Sequence, residues 1–195
     1  MSKFQYYIFN KPYNVLSQFT KEVPEHITLQ DFLTLPSDVY PIGRLDKDSE
    51  GLLLLTNDNN FKNRLLDPHY KSQKTYITQL DGDITEDAVA ALQKGVIIKL
   101  KKGNYKTKPC KASKIDNPNI LDRDPPIRVR ANIPTSWIQI TIEEGKNRQI
   151  RKMCAASGFP CLRLIRTKIK DLDFKDLKSG SFRPLTNDEV NELKK

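Results

Sequence analysis

Histidine, cysteine and tryptophan are all scarce in this chain of 195 residues, at two, three and one. A structural zinc site needs four Cys/His ligands in clustered pairs. His26 and His69 stand far apart and Cys110, Cys154 and Cys161 form no Cys-x-x-Cys pair, so no metal is expected. An odd number of thiols leaves one unpaired in any disulfide scheme, which suits reduced cysteines in a cytosol. There is no Gly-rich loop of the P-loop type, and a nucleotide-binding enzyme therefore ranks last among the readings. Long hydrophobic runs are missing too. The longest fall far below a membrane span, and Met1-Ser2-Lys3-Phe4-Gln5 carries no apolar signal segment. A soluble, cytoplasmic protein is expected.

Acidic residues are in deficit: 33 Lys/Arg against 24 Asp/Glu give a net charge of +9. Residues 171–195 hold five bases and six acids, so the first 170 residues carry all of the excess. A polyanion is the natural partner. The length fits one domain, in one or two lobes, with room for a real core.

Tyr6-Tyr7-Ile8-Phe9 reads as a strand halted by Asn10-Lys11-Pro12, with Val15–Phe19 as a returning partner strand. Thr28 with Asp31 resembles a capping box for a short helix ending at Pro36. Leu52 to Thr56 suits a buried central strand. Asn57-Asp58 caps a helix over Phe61–Leu66, and Lys74 to Leu80 is a strand carrying Tyr76. Thr85 caps Glu86–Lys94, with Ala88, Ala91 and Leu92 on its apolar face and Gly95 at its end. Residues 96–133 look less regular and basic, an insertion or arm, with β-like pieces broken by Asn117-Pro118 and Pro125-Pro126. Trp137 to Ile142 alternates as a strand with Trp137 as a core anchor, and Asn147 caps a helix to Ser157. Leu162–Ile169 is a further strand, and Thr186 with Glu189 opens a C-terminal helix over 186–195. Without a strict βαβ rhythm, the class is α+β with a mixed, mostly antiparallel sheet.

Two stretches carry the chemistry. Asp46 lies in Gly43-Arg44-Leu45-Asp46, ahead of an apolar run. By spacing alone it is either a reactive carboxylate or, more commonly, a turn Asp bonding its own backbone. A calcium loop is excluded, because the twelfth position holds Asn57 rather than Glu. Arg148, Arg151 and Lys152 share one helix face, opposite Ile150, Met153 and Cys154. Cations in the first turn oppose the helix dipole, so an anionic partner is favoured over a merely solvated face. Seven lysines lie between Lys99 and Lys114, among them Lys101, Lys102, Lys106 and Lys108, with no acid. With Tyr105 among them, they suit an arm along a phosphate backbone.

Gly43-Arg44-Leu45-Asp46, continuing through Asp48-Ser49-Glu50-Gly51 to Thr56-Asn57-Asp58, resembles the catalytic motif of the ribosomal RNA pseudouridine synthases of the RsuA branch. Lys74-Thr75-Tyr76 resembles the second motif of that family, and Glu144-Gly145-Lys146-Asn147-Arg148-Gln149-Ile150-Arg151-Lys152-Met153 resembles the third. Asn10-Lys11-Pro12 and Leu162-Arg163-Leu164-Ile165-Arg166 also fit, and the motifs sit closest to the E-type group acting on large-subunit (23S) RNA.

The resemblance implies that Asp46 attacks the uridine, Tyr76 stacks on the target base, and Arg151 pairs with Asp46 to keep it ionised. It implies that Arg44 helps extrude the base and that Leu164 lines its pocket. Lys74, Arg148, Lys152, Arg163 and Arg166, with Lys101, Lys102, Lys106 and Lys108, are candidates for RNA contact. Relatives often carry Arg where Lys146 and Lys152 stand, a change that keeps charge but loses bidentate geometry. The implied fold is a mixed-sheet core with Asp46 in the floor of a cleft between two lobes, here as a single catalytic domain without a separate N-terminal RNA-binding module. Breaking N1–C1′ and making C5–C1′ changes no oxidation state, so no cofactor is expected. The base must first leave the stack. The implied partner is ribosomal RNA, as a stem-loop or a partly assembled subunit, and a monomer is the default. A non-catalytic RNA-binding or ribosome-assembly protein explains the charge equally well, but has no use for the Asp46 loop. A synthase acting on small-subunit RNA is the nearer alternative.

Overall fold

A computed structural model of the chain describes residues 4–127, 133–174 and 177–195. In chain order its strands and helices are β1 (Tyr6–Lys11), β2 (Tyr40–Pro41), β3 (Glu50–Thr56), α1 (Asn59–Leu66), β4 (Lys74–Asp81), α2 (Glu86–Lys94), β5 (Ile97–Leu100) and β6 (Gly103–Lys106). There follow β7 (Lys111–Ile115), β8 (Thr135–Ile142), α3 (Gln149–Ala156), β9 (Cys161–Ile169), β10 (Leu172–Asp173), β11 (Phe182–Pro184) and α4 (Asn187–Lys194). The chain divides into two compact units, Met1–Ser72 with Arg166–Lys195 and Gln73–Ile165.

In the first unit β1 runs antiparallel to β3 on one side and to β11 on the other, β2 pairs with β3, and β10 turns back on β9. Every residue of β3 is buried. Leu52 and Leu54 project into a cluster with Ile8, Phe61, Leu65 and Leu193, and alternation turns Leu53 and Leu55 to the other face. That is why a run of four leucines, useless on a half-wet strand, belongs here.

The partner of β1 was expected at Val15–Phe19. Instead that segment makes only an isolated bridge, Leu16 to Thr28, and β1 takes its neighbours from residues 51–56 and 182–184. The short helix expected after Thr28 is a single 3-10 turn, Leu29–Asp31, with the Thr28 N–H donating to Asp31 Oδ2 at 2.8 Å.

Asp58 caps α1 and is almost fully buried. It accepts the Phe61 N–H at 3.0 Å and the Tyr6 hydroxyl at 2.7 Å. Asp58→Ala removes the cap and strands the Tyr6 hydroxyl from its short partner. It should cost about 2–3 kcal/mol, seen as a lower urea midpoint with an unchanged m value.

In the second unit β8 lies between β4 and β7, antiparallel to both, while β5 and β6 form a separate hairpin. Ile138, Ile140 and Ile142 of β8 pack with Val89 and Leu92 of α2 and with Ile150, Met153 and Cys154 of α3. Trp137, expected as a core anchor, is only half-buried, because its register puts it on the face of β8 opposite these isoleucines. The buried face of α2 is Val89 and Leu92, and Ala91 is exposed.

The stretch 96–133 holds more order than its composition suggests, since β5, β6 and β7 all lie in it. Alternation explains this: Ile98 is buried while Lys99 faces out, and Ala112 is buried between exposed neighbours. Residues 128–132 of that stretch lie outside the described residues. The α+β class and the predominance of antiparallel pairing are those predicted.

Candidate active site

In the first unit Asp46 stands in the loop between β2 and β3, half-buried, with Arg44 exposed and Leu45 buried beside it. The loop is held at several points. Ser17 grips Leu45 twice: its hydroxyl donates to Leu45 O at 2.8 Å and accepts the Leu45 N–H at 3.1 Å. The Ser49 N–H closes a turn on Asp46 O at 3.0 Å, and the Ile42 N–H donates to Leu54 O at 2.7 Å. Gly43 has φ +68°, and a Cβ there would lie 3.1 Å from Leu66 Cδ2, so a side chain is resisted by backbone and space alike. The turn-forming reading of Asp46 is therefore true of its backbone. The turn bond itself is made by the Asp46 carbonyl, which accepts the Ser49 N–H.

Beneath the loop sits Lys11, fully buried at the end of β1. Its ammonium donates to Val15 O at 2.7 Å, Pro12 O at 2.9 Å and, at 3.5 Å, Lys47 O, next to Asp46. Burial pushes Lys11 down to about 7, against the pull of Glu50, Asp48 and Asp46 and helped by the repulsion of Arg166.

In the second unit Tyr76 lies on β4 opposite Ile140, half-buried at the margin of the core. Helix α3 begins one residue later than expected. Asn147 is not its cap. The N-cap is Arg148, in the left-handed conformation at φ +51° and with no side-chain cap bond. The physical reason is Gln149, whose Oε1 accepts the Lys146 N–H at 2.9 Å while its own N–H reaches Lys146 O at 3.1 Å, closing a tight turn over 146–149. Arg148 is thereby left exposed, and Arg151 falls in the first helical turn, where its guanidinium donates to Cys161 O at 3.3 Å.

A sequence profile described as RNA pseudouridylate synthase matches residues 5–156. The chain belongs to that family. It is 49% identical over 178 residues to "Ribosomal large subunit pseudouridine synthase E" of Vibrio parahaemolyticus, covering 91% of this chain and 72% of the relative. A protein of the same name from Xanthomonas campestris is 43% identical, covering 90% of this chain and 92% of that one. A solved structure described as a pseudouridylate synthase superposes with a TM-score of 0.79 at 30% identity, over 99% of this chain and 75% of that one.

The synthase distributes its basic residues differently from the sequence expectation. Arg163 and Arg166 on β9, candidates for RNA contact, are buried. Arg163 donates to Leu121 O at 3.0 Å and Arg166 to Leu52 O at 2.7 Å, so each serves backbone carbonyls of its own unit. They stand three apart on β9, and their burial is something no charge count reveals. Lys106 reaches back to Gly95 O at 2.5 Å. Leu164, expected in a base pocket, belongs to the core of the second unit. Lys74 and Lys152 are half-buried, while Lys101, Lys102, Lys108 and Arg148 are exposed.

Sequence reasoning also missed two residues. Lys11 was legible only as part of Asn10-Lys11-Pro12, although a lysine ending a buried strand is itself a signal. Glu144 was read only as a motif letter. It receives the Tyr105 hydroxyl at 2.5 Å, the Lys108 N–H at 2.9 Å and the Gln149 side-chain amide at 2.6 Å. The Glu144 hydrogen bond, with burial, raises the Tyr105 hydroxyl above its ordinary value. Among the described residues, no cluster of three or more His, Cys, Asp or Glu is placed to hold a metal ion, and no helix is long and apolar enough to cross a membrane.

Proposed function

We propose that this synthase converts a uridine of large-subunit ribosomal RNA to pseudouridine, with Asp46 as the reacting carboxylate. The observation that carries the reading is the Asp46 loop itself. Ser17, Ser49 and Lys11 hold its backbone from three directions and so fix where the half-buried Asp46 sits. A carboxylate so fixed has little ordering entropy left to lose on meeting substrate. In the reaction the N1–C1′ bond breaks, the ring turns and C5–C1′ forms; C5 gives up its proton and N1 takes one up from solvent, so atoms and charge balance with no coenzyme. The uridine leaves the helix stack first, because C1′ and the ring cannot be reached in paired RNA. Tyr76 offers a ring for the extruded base, Arg151 a guanidinium for developing negative charge, and exposed Arg44 a cation for the backbone it leaves. The whole chain acts as one catalytic domain, as a cytoplasmic monomer that needs no cofactor.

The similarity to large-subunit synthases supports the large-subunit assignment, and it has a direct test. Unmodified large- and small-subunit RNA are incubated separately with the protein and mapped for pseudouridine. Conversion at one discrete position of the large-subunit RNA is expected. Conversion of the small-subunit RNA alone reassigns the substrate, and conversion of neither overturns the reading.

A further inference from the structure

The lysine-bearing segment and the opening turn of α3 are joined through one carboxylate. Glu144 Oε2 accepts the Tyr105 hydroxyl from β6, and Oε1 accepts both the Lys108 N–H and the Gln149 side-chain amide. Gln149, almost fully buried, holds the turn that presents Arg148. The Lys146 ammonium lies 5.1 Å from the centre of the Tyr105 ring, adding a cation–π contact between the same two segments. The other end of the hairpin is tied down as firmly. Gly95 at φ +84° lies so close to Thr107 O that a Cβ would approach it to 2.3 Å, and the Val96 N–H donates to Thr107 Oγ1 at 3.0 Å. Three donors converging on one half-buried glutamate is more than solubility requires.

We propose that Glu144 is a positioning residue: it latches the hairpin of β5 and β6, with the lysines that follow, to the opening turn of α3, so that lysines and arginines meet RNA as one pre-ordered basic surface. This rests on the reading that Lys101, Lys102 and Lys108 contact RNA. A flexible arm would lose backbone freedom for each residue it ordered on binding, whereas a latched one has already lost it on folding. Glu144 acts through the backbone and Tyr105, not by touching substrate. Its negative charge is taken up by internal donors and does not oppose the phosphates.

The test uses the full-length protein with its ribosomal RNA substrate. Tyr105→Phe removes one latch bond and little else, and Glu144→Gln replaces an acceptor oxygen by a donor. Each should raise KM for RNA about three- to tenfold and leave kcat within about twofold. The decisive readout is coupling. Neutralising Lys101, Lys102 and Lys108 together should weaken RNA binding less in the Tyr105→Phe background than in the wild type. Equal weakening in the two backgrounds overturns the latch while leaving the lysines in the footprint. No weakening in the wild type removes the lysines themselves, and the proposal with them. If Glu144→Gln does not fold, Tyr105→Phe alone decides, since its ring still fills the same space.

Discussion

Asp46→Asn should abolish pseudouridine formation, lowering kcat by ~10³ or more, while RNA binding changes less than about threefold. Asparagine matches aspartate in size. The loop is held through its backbone at Leu45 by Ser17, at Asp46 O by the Ser49 N–H, and at Lys47 O by Lys11. Folding should therefore be untouched, and the urea midpoint serves as the control. What the substitution removes is the anionic oxygen that can attack or stabilise positive charge, which an amide cannot replace. A variant that keeps a tenth of the wild-type rate would show that Asp46 is the turn residue its spacing first suggested. Loss of RNA binding together with activity would place the residue in recognition rather than reaction.

The second large effect concerns Lys11. The ammonium is fully buried and is pushed from 10.5 to about 7. Below pH 7 both folded and unfolded chains carry the proton, and the folded state bears the whole desolvation cost. Between about 7 and 10.5 the folded protein has released a proton that the unfolded chain still holds, so stability rises with pH across that window. Above it the term is gone. The span corresponds to an effect on the order of 5 kcal/mol. The groups facing the ammonium are Glu50, Asp48 and Asp46, which oppose deprotonation, and Arg166, which favours it.

Lys11→Met keeps the apolar stem and deletes the titration. It also leaves the carbonyls of Pro12, Val15 and Lys47 without their donor, a penalty that does not vary with pH. The difference in unfolding free energy between wild type and variant, measured from pH 7 to 10, should therefore grow steadily in favour of the wild type. A flat difference would mean that the folded protein keeps Lys11 charged, held by its three carbonyls. Because Lys47 O is one of those carbonyls, the variant should also lose activity at every pH as the Asp46 loop loosens.

Local signals were easiest to read in advance. The Thr85 cap with Gly95 at the far end delimits α2, and the Thr186–Glu189 capping box delimits α4, because each involves groups within one or two helical turns. Four leucines in a row announced β3 as buried on both faces. Failures came where the deciding partner lies far along the chain. Nothing near Tyr6–Lys11 shows that its neighbours are residues 51–56 and 182–184 rather than Val15–Phe19. Nothing near Asn147 shows that Gln149, drawn by Lys146 and Glu144, sets where α3 begins.

Charge misled in the same way, since a count of arginines does not distinguish Arg148, which is exposed, from Arg163 and Arg166, which are buried on backbone carbonyls. The sequence by itself determined the α+β class, most of the longer strands and helices and, through its ordered motifs, the family. Those depend on residue types at short spacing. Only the tertiary structure decided which charges face solvent, that Lys11 lies under the Asp46 loop, and that Glu144 joins the lysines to α3. Burial and hydrogen-bond partnership are properties of neighbours in space, and a buried cation or a shared carboxylate is stable only where distant segments bring it compensating donors and acceptors.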